Sequence, residues 1–286
     1  MAKIKSYHYI AIIAFLALGR YAFCQDLVLQ DSIKLTAPVR ALGQDSYGDI
    51  YVLTNQNQLC KIFSNWDSVY CIGGRGMSEE ALLEPTAISV TSQQSIYVLD
   101  AAPRRIVLFN YNLKPARQVQ FTDIEAGLDK TTIIPKSFAV GPSGDLFLLN
   151  AFDNRILKFN SGGRLEVQFG GTDYGQGRLL APNELFIDSD YTVWATDPLR
   201  QQLSQFDFYG TWIQNWQPTV PFKWEAAKLS GKTWLFWNNQ EVFLYSTGTF
   251  AGQTFHLEKR INNAEIQNNF LIINHENFID KYVINR

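Results

Sequence analysis

The chain has 286 residues, of which 46 % are hydrophobic, 14 % aromatic and only 18 % charged. That composition argues against disorder, and a chain of this length can bury enough surface to fold without a metal or a disulfide. With 25 basic and 27 acidic residues the net charge is −2, which argues against a partner recognised through its phosphate backbone.

Residues 1–24 read as a secretory signal peptide. Lys3 and Lys5 form the positive start, and Tyr9 to Gly19 form an apolar run too short for a membrane span. Ala22-Phe23-Cys24 then offers small residues for cleavage before Gln25. A lipid anchor would need Cys24 as the modified first residue, and Tyr21-Ala22-Phe23 departs from the usual lipoprotein pattern at two positions. Losing Lys3, Lys5 and Arg20 would leave 22 basic against 27 acidic residues, a net charge of −5. The expected location is extracytoplasmic, in the periplasm or at the cell surface, with no transmembrane span in the mature chain.

The remainder, 25–286, repeats itself. An apolar run ending in a polar residue occurs as Ile50-Tyr-Val-Leu-Thr54, Ile96-Tyr-Val-Leu-Asp100, Leu146-Phe-Leu-Leu-Asn150 and Val193-Trp-Ala-Thr-Asp197. Weaker copies are Trp234-Leu-Phe-Trp-Asn238 and Phe270-Leu-Ile-Ile-Asn274. Nine residues after each of the first four polar ends stands an aromatic: Phe63, Phe109, Phe159 and Phe206. Upstream of copies two to four stand Pro85, Pro135 and Pro182. Units this small cannot each bury a hydrophobic face alone, so they must stack. The segments are short and rich in Val, Ile, Phe, Tyr and Trp, with turn signals such as Ser143-Gly144-Asp145 between them. In the third copy the strands fall near 137–140, 145–150, 155–159 and 164–169. The expected fold is therefore all-β: a six-bladed β-propeller with four-stranded antiparallel blades. The last blade lacks a fourth strand, which Leu27-Val-Leu29 and Ile33-Lys-Leu35 can supply, closing the ring.

Pro135-Lys-Ser-Phe138-Ala-Val140, Gly144-Asp-Leu-Phe-Leu-Leu-Asn150, Asn154-Arg155-Ile156 and Phe159 together resemble an NHL repeat. The linkers Gly73-Gly-Arg-Gly76…Pro85 and Gly170-Gly-Thr-Asp173…Gly175-Gln-Gly177…Pro182 are similar to the glycine-rich connectors of that family. The resemblance spans about 38–217. It implies a six-bladed propeller and leaves the activity open, because propellers host both enzymes and scaffolds.

Candidate chemistry is sparse. Ala226…Gly231-Lys232-Thr233 fits a permissive phosphate-loop pattern, but Trp234-Leu-Phe-Trp237 reads as a strand where that loop needs a helix. Ser230-Gly231-Lys232 is therefore expected to be a hairpin turn. Of the three histidines only His256 and His275 follow the signal peptide, too few for a three-histidine zinc site. The column Thr54, Asp100, Asn150, Asp197, Asn238 and Asn274 recurs in every unit and reads as turn capping, with Asp100–Arg105 or Asn150–Arg155 as a clasp. Trp212 and Trp216, sharing one face by period-two counting, pack between blades or form an aromatic patch for a partner. Cys60 and Cys71 lie equally far from a turn at 65–66 and are expected to form a disulfide.

The position after each linker proline falls at the start of an innermost strand, near the channel mouth: Thr86, Lys136, Asn183 and, by equivalent spacing, Glu225 and Asn262. Pro182-Asn183-Glu184-Leu185 faintly resembles an element of calcium-dependent lactonases in which the asparagine holds the metal. Two readings follow. One is a non-catalytic, exported scaffold that holds another protein of the bacterial envelope or outer membrane, with no cofactor and no metal. The other is a calcium-dependent lactonase or hydrolase working at the channel, for which the ring offers Asn183, Glu225, Asn262 and Thr86 as ligands, with Glu184 one residue away and Lys136 opposing the cation.

Overall fold

In the computed structural model the described residues run from 27 to 284, apart from 77, 92, 93, 123, 127, 128, 174, 247, 248 and 268. The expected signal peptide lies outside them. Among the described residues there is no helix, and none is long and apolar enough to cross a membrane.

The described residues begin with β1 (Leu27–Lys34) and then build blade 1 from β2 (Val39–Gln44), β3 (Ile50–Thr54), β4 (Gln58–Ile62) and β5 (Val69–Gly73). Blade 2 holds β6 (Pro85–Val90), β7 (Ile96–Asp100), β8 (Arg105–Phe109) and β9 (Pro115–Gln120). A small hairpin, β10 (Ile124–Ala126) and β11 (Asp129–Thr131), precedes blade 3. That blade is β12 (Pro135–Val140), β13 (Leu146–Asn150), β14 (Arg155–Phe159) and β15 (Leu165–Gly170). Blade 4 contains β16 (Leu185–Ile187), β17 (Val193–Asp197), β18 (Gln202–Phe206) and β19 (Trp212–Trp216). Blade 5 contains β20 (Ala226–Ser230), β21 (Thr233–Trp237), β22 (Glu241–Ser246) and β23 (Thr249–His256). Blade 6 contains β24 (Asn263–Gln267), β25 (Phe270–His275) and β26 (Phe278–Ile284).

Each blade is a four-stranded antiparallel meander, and β1 completes blade 6 by pairing with β26. The ring thus closes non-covalently, through one strand with a bulge between Leu29 and Asp31. Six apolar clusters hold the disc together, one at each blade-to-blade interface. Second strands are sandwiched between neighbouring blades, which is why runs such as Ile50–Thr54 and Leu146–Asn150 are buried on both faces.

The capping column performs its expected role, with one change of partner. Asp100 accepts the N–H groups of Leu83 (3.1 Å) and Glu84 (2.7 Å) and pairs with Arg105 at 2.9 Å. Asn150 accepts Ile134 N–H at 2.8 Å but donates to Asp153, and Arg155 pairs with Asp173. A neutral amide cannot hold a guanidinium as a carboxylate does, so the Asn150–Arg155 clasp does not form. Phe63 also departs from its expected place. Leu53 pairs with Leu59, whereas Leu99 pairs with Ile106, so the turn in blade 1 is one residue shorter. Ile62 therefore occupies the core position and Phe63 is displaced into the next turn, 37 % exposed.

Cys60 and Cys71 are directly cross-strand and joined by a disulfide across β4 and β5. The bridge closes a short loop within one blade, worth about 2–3 kcal/mol by loop entropy. Reduction is expected to lower the melting temperature by several degrees while leaving the circular-dichroism spectrum of the native sheet unchanged, measured with and without reductant.

Candidate functional site

The innermost strands β2, β6, β12, β16, β20 and β24 ring the axis. In blades 1 to 3 the register slips between Val39 and Ala41, Pro85 and Ala87, and Pro135 and Ser137. A bulge there leaves Arg40, Thr86 and Lys136 as the extra residues. In blade 4 Asn183 N–H donates to Thr196 O, as does Thr196 N–H to Glu184 O, the same local pattern. Blades 5 and 6 pair regularly, Ala226 with Trp237 and Asn263 with Asn274. Glu225 N–H nevertheless donates to Trp237 O and Asn262 N–H to Asn274 O, as Asn183 N–H does to Thr196 O, so both keep the place of Asn183 before the first strand; both are exposed. Arg40 was hidden because its preceding proline, Pro38, is offset by one position.

The bulged cations reach sideways. Arg40 donates to Pro85 O at 2.8 Å and Lys136 to Pro182 O at 2.6 Å, each bridging to the next blade. The hydroxyl of Thr86 is buried without a hydrogen-bond partner among the described residues. Deeper, Lys228 forms an ion pair with the buried Glu265 and donates to Leu42 O at 2.9 Å, tying blade 5 to blades 6 and 1. Burial pushes the Glu184 carboxyl above its usual range; Glu265 adds to this, while Lys228 and Lys136 oppose it. The folded state therefore holds a proton on Glu184 at pH values where the unfolded chain has released it. Charged Glu184 weakens the fold, so Glu184→Gln is expected to raise the melting temperature at neutral pH. The gain should shrink as pH falls through the raised value and vanish below about 4.5, the carboxyl's ordinary value, in melting curves across pH.

A cavity of about 810 Å³ occupies the other end of the channel. Lys228 and Glu265 are the earliest residues of their strands to line it, so their ion pair forms its inner end. None of Thr86, Lys136, Asn183, Glu184, Glu225 and Asn262 lines it. The proline-linked positions and the large cavity belong to opposite mouths. Glu225 instead borders a second cavity of about 630 Å³ with Trp224, Glu241 and His256. Among the described residues no group of three or more His, Cys, Asp or Glu is placed to hold a metal ion.

Trp212 and Trp216 do not share a face. A bulge between Gln205 and Phe206 pairs Phe206 with Trp212 but Leu203 with Trp216, and one extra residue reverses the alternation. Trp212 consequently packs toward blade 3, where Gly177 (φ +81°) lies so close that a Cβ would stand 2.9 Å from the Trp212 Cβ. Trp216 packs toward blade 5, its ring 5.3 Å from Tyr245 and 6.2 Å from Trp194 and Trp234. Both are half-buried and on opposite sides, so they form no joint patch.

No protein-family profile matches the chain, and no curated protein matches it in sequence. Its fold defines a class plainly: it is a six-bladed β-propeller. Solved structures similar to it include one named as a β-propeller domain. Virginiamycin B lyase from Staphylococcus aureus is similar with a TM-score of 0.62 at 10 % identity, over 91 % of this chain and 100 % of that one. The β-propeller domain of Cps50 (Swd1) from Myceliophteria thermophila gives 0.62 at 10 % identity, with the same two coverages, 91 % and 100 %. The WD40 domain of Neurospora crassa Pan2 gives 0.60 at 6 %, covering 92 % and 97 %. One of these is named as an enzyme and another as a WD40 domain, so the likeness carries the fold and not an activity.

Proposed function

We propose that this protein is an exported, NHL-like, non-catalytic propeller that holds another protein of the bacterial envelope or cell surface. The observation behind this reading is a set of exposed tyrosines on one face. Antiparallel blades bring the turns after the first and third strands to the same face, the one onto which the large cavity opens. Tyr47 (70 % exposed), Tyr111 (51 %), Tyr191 (50 %) and Tyr209 (76 %) all sit on such turns. Tyrosine is rigid, amphipathic and over-represented among residues that dominate protein interfaces. The opposite face carries Phe152 and Leu199 on its turns and Leu83 and Ile134 in its linkers, none of them a tyrosine.

Cross-linking in native envelopes followed by mass spectrometry tests the reading. Cross-links from the tyrosine face to one envelope protein, lost in Tyr47→Ala/Tyr209→Ala, are expected, on a mature chain that begins at Gln25. Calcium-dependent stabilisation that disappears in Asn183→Ala/Glu225→Ala, together with lactone or ester turnover, would favour the hydrolase instead.

A further inference from the structure

Three blade interfaces are filled near their outer edge in the same way. Lys61 lies 5.1 to 6.0 Å from the rings of Tyr51, Phe63 and Tyr111 and pairs with Asp49, sealing blades 1 and 2. Lys158 lies 4.1 Å from the Phe208 ring and 5.5 Å from Tyr209 and pairs with Glu166, sealing blades 3 and 4. Lys281 lies between Phe270 (4.4 Å) and Trp66 (5.7 Å), sealing blades 6 and 1. In each case a third-strand lysine meets an aromatic ring offered by a turn of the following blade, a cation–aromatic plug.

The interface between blades 2 and 3 lacks both halves. Tyr51 pairs with Lys61 and Phe147 with Lys158, but the equivalent Tyr97 pairs with Leu108. The turn position held by Tyr111 in blade 2 and Phe208 in blade 4 is Ser161 in blade 3, followed by Gly162 and Gly163. Here the 810 Å³ cavity leaves the channel and enters the cleft, lined by Tyr97, Leu108, Val119, Leu146, Ser161 and Arg117. Arg117 stands directly across from Leu108 and is exposed, and its side chain makes no hydrogen bond or ion pair among the described residues.

We infer that the cleft between blades 2 and 3 is a binding site for a small aromatic carboxylate, its ring taking the place of the missing plug and its acid group meeting Arg117. The walls supply apolar surface from Leu108, Val119 and Leu146. Desolvation raises the Tyr97 hydroxyl pKa even though Arg117 opposes it, so the phenol stays protonated and can donate. The cavity into which the cleft opens has a volume within the usual range for small-molecule sites.

The probe is 3-phenylpropanoate, titrated into the whole protein by calorimetry and followed by NMR shifts. Saturable binding at about 1 mM or tighter is expected, with 3-phenylpropylamine and propanoate each at least about tenfold weaker. Arg117→Glu, at an exposed position, should weaken binding about tenfold without changing the melting temperature. Leu108→Lys/Ser161→Tyr should rebuild the plug, abolish binding and raise the melting temperature. Absence of saturation, equal binding of the amine, or unchanged binding in Arg117→Glu would overturn the assignment, whether or not the double variant folds. None of these outcomes depends on the envelope partner proposed above.

Discussion

Replacing Asp100 by alanine is expected to cost about 3–5 kcal/mol, among the largest losses available to a single substitution in this chain. Asp100 is fully buried and serves as the knot of blade 2. One of its oxygens accepts the Leu83 and Glu84 N–H groups, fixing the linker that delivers Pro85 to the innermost strand. The other takes Arg105 Nε at 3.1 Å and Nη2 at 2.9 Å, and Nη2 also donates to Ala81 O. Truncation would leave two backbone donors without an acceptor and a mostly buried guanidinium without its counter-charge. For a protein of this size the loss corresponds to a fall in melting temperature on the order of 10 °C. Asp100→Asn should cost less, because the amide oxygen can still accept from the linker. A scan showing Asp100→Ala within a degree or two of the parent would refute this account.

Deleting Leu27–Lys34 is expected to be comparably damaging, for a different reason. The strand contributes little apolar area beyond Ile33 and Leu27, but it covers the last edge of the sheet and satisfies a buried cluster. Asp280 accepts Ser32 Oγ at 2.5 Å, Tyr282 OH at 3.2 Å and Lys259 Nζ at 3.3 Å, with His275 Nε2 3.2 Å away. Without β1 the β26 backbone becomes an open edge and the carboxylate loses a partner. Such an edge recruits other strands. The shortened chain should melt about 10 °C or more lower and self-associate in size-exclusion chromatography. A peptide spanning 27–34 supplied in trans should restore both properties. A monomeric, equally stable shortened chain would show that closure by β1 is dispensable.

The repeat was legible because its signal is local. Strand alternation, a polar residue at each second-strand end and a linker proline recur within each unit, and they place the six blades and the closing strand. Cys60 and Cys71 were legible for the same reason, since counting outward from one turn fixes their register. What escaped is what depends on a single inserted or deleted residue. The bulge at Gln205 and Phe206 turns Trp212 and Trp216 to opposite sides. A turn one residue shorter exchanges Phe63 for Ile62, and a linker proline offset by one position hid Arg40 among the bulged residues. Contacts between blades were also out of reach. Lys228 stood inside a misleading loop pattern, and its partners Glu265 and Leu42 are on other blades. The lysine plugs are visible as Lys61-Ile62-Phe63 and Lys158-Phe159 only once the facing turn is known to supply a ring.

The pairing of β1 with β26 also sets how the disc responds to mechanical load. Leu27 lies opposite Ile284, so both ends of the described chain leave the sheet at the same corner. Tension applied between those ends would peel the two strands apart one hydrogen-bonded pair at a time, rather than shearing all of them together. Rupture should therefore need little force, and the bulge between Leu29 and Asp31 would be the first discontinuity the peeling front meets. A tether at one end with the load on a blade face avoids that path, because force then runs through several interfaces at once. The same disc would be yielding when stretched end to end and stiff when pulled on a blade face.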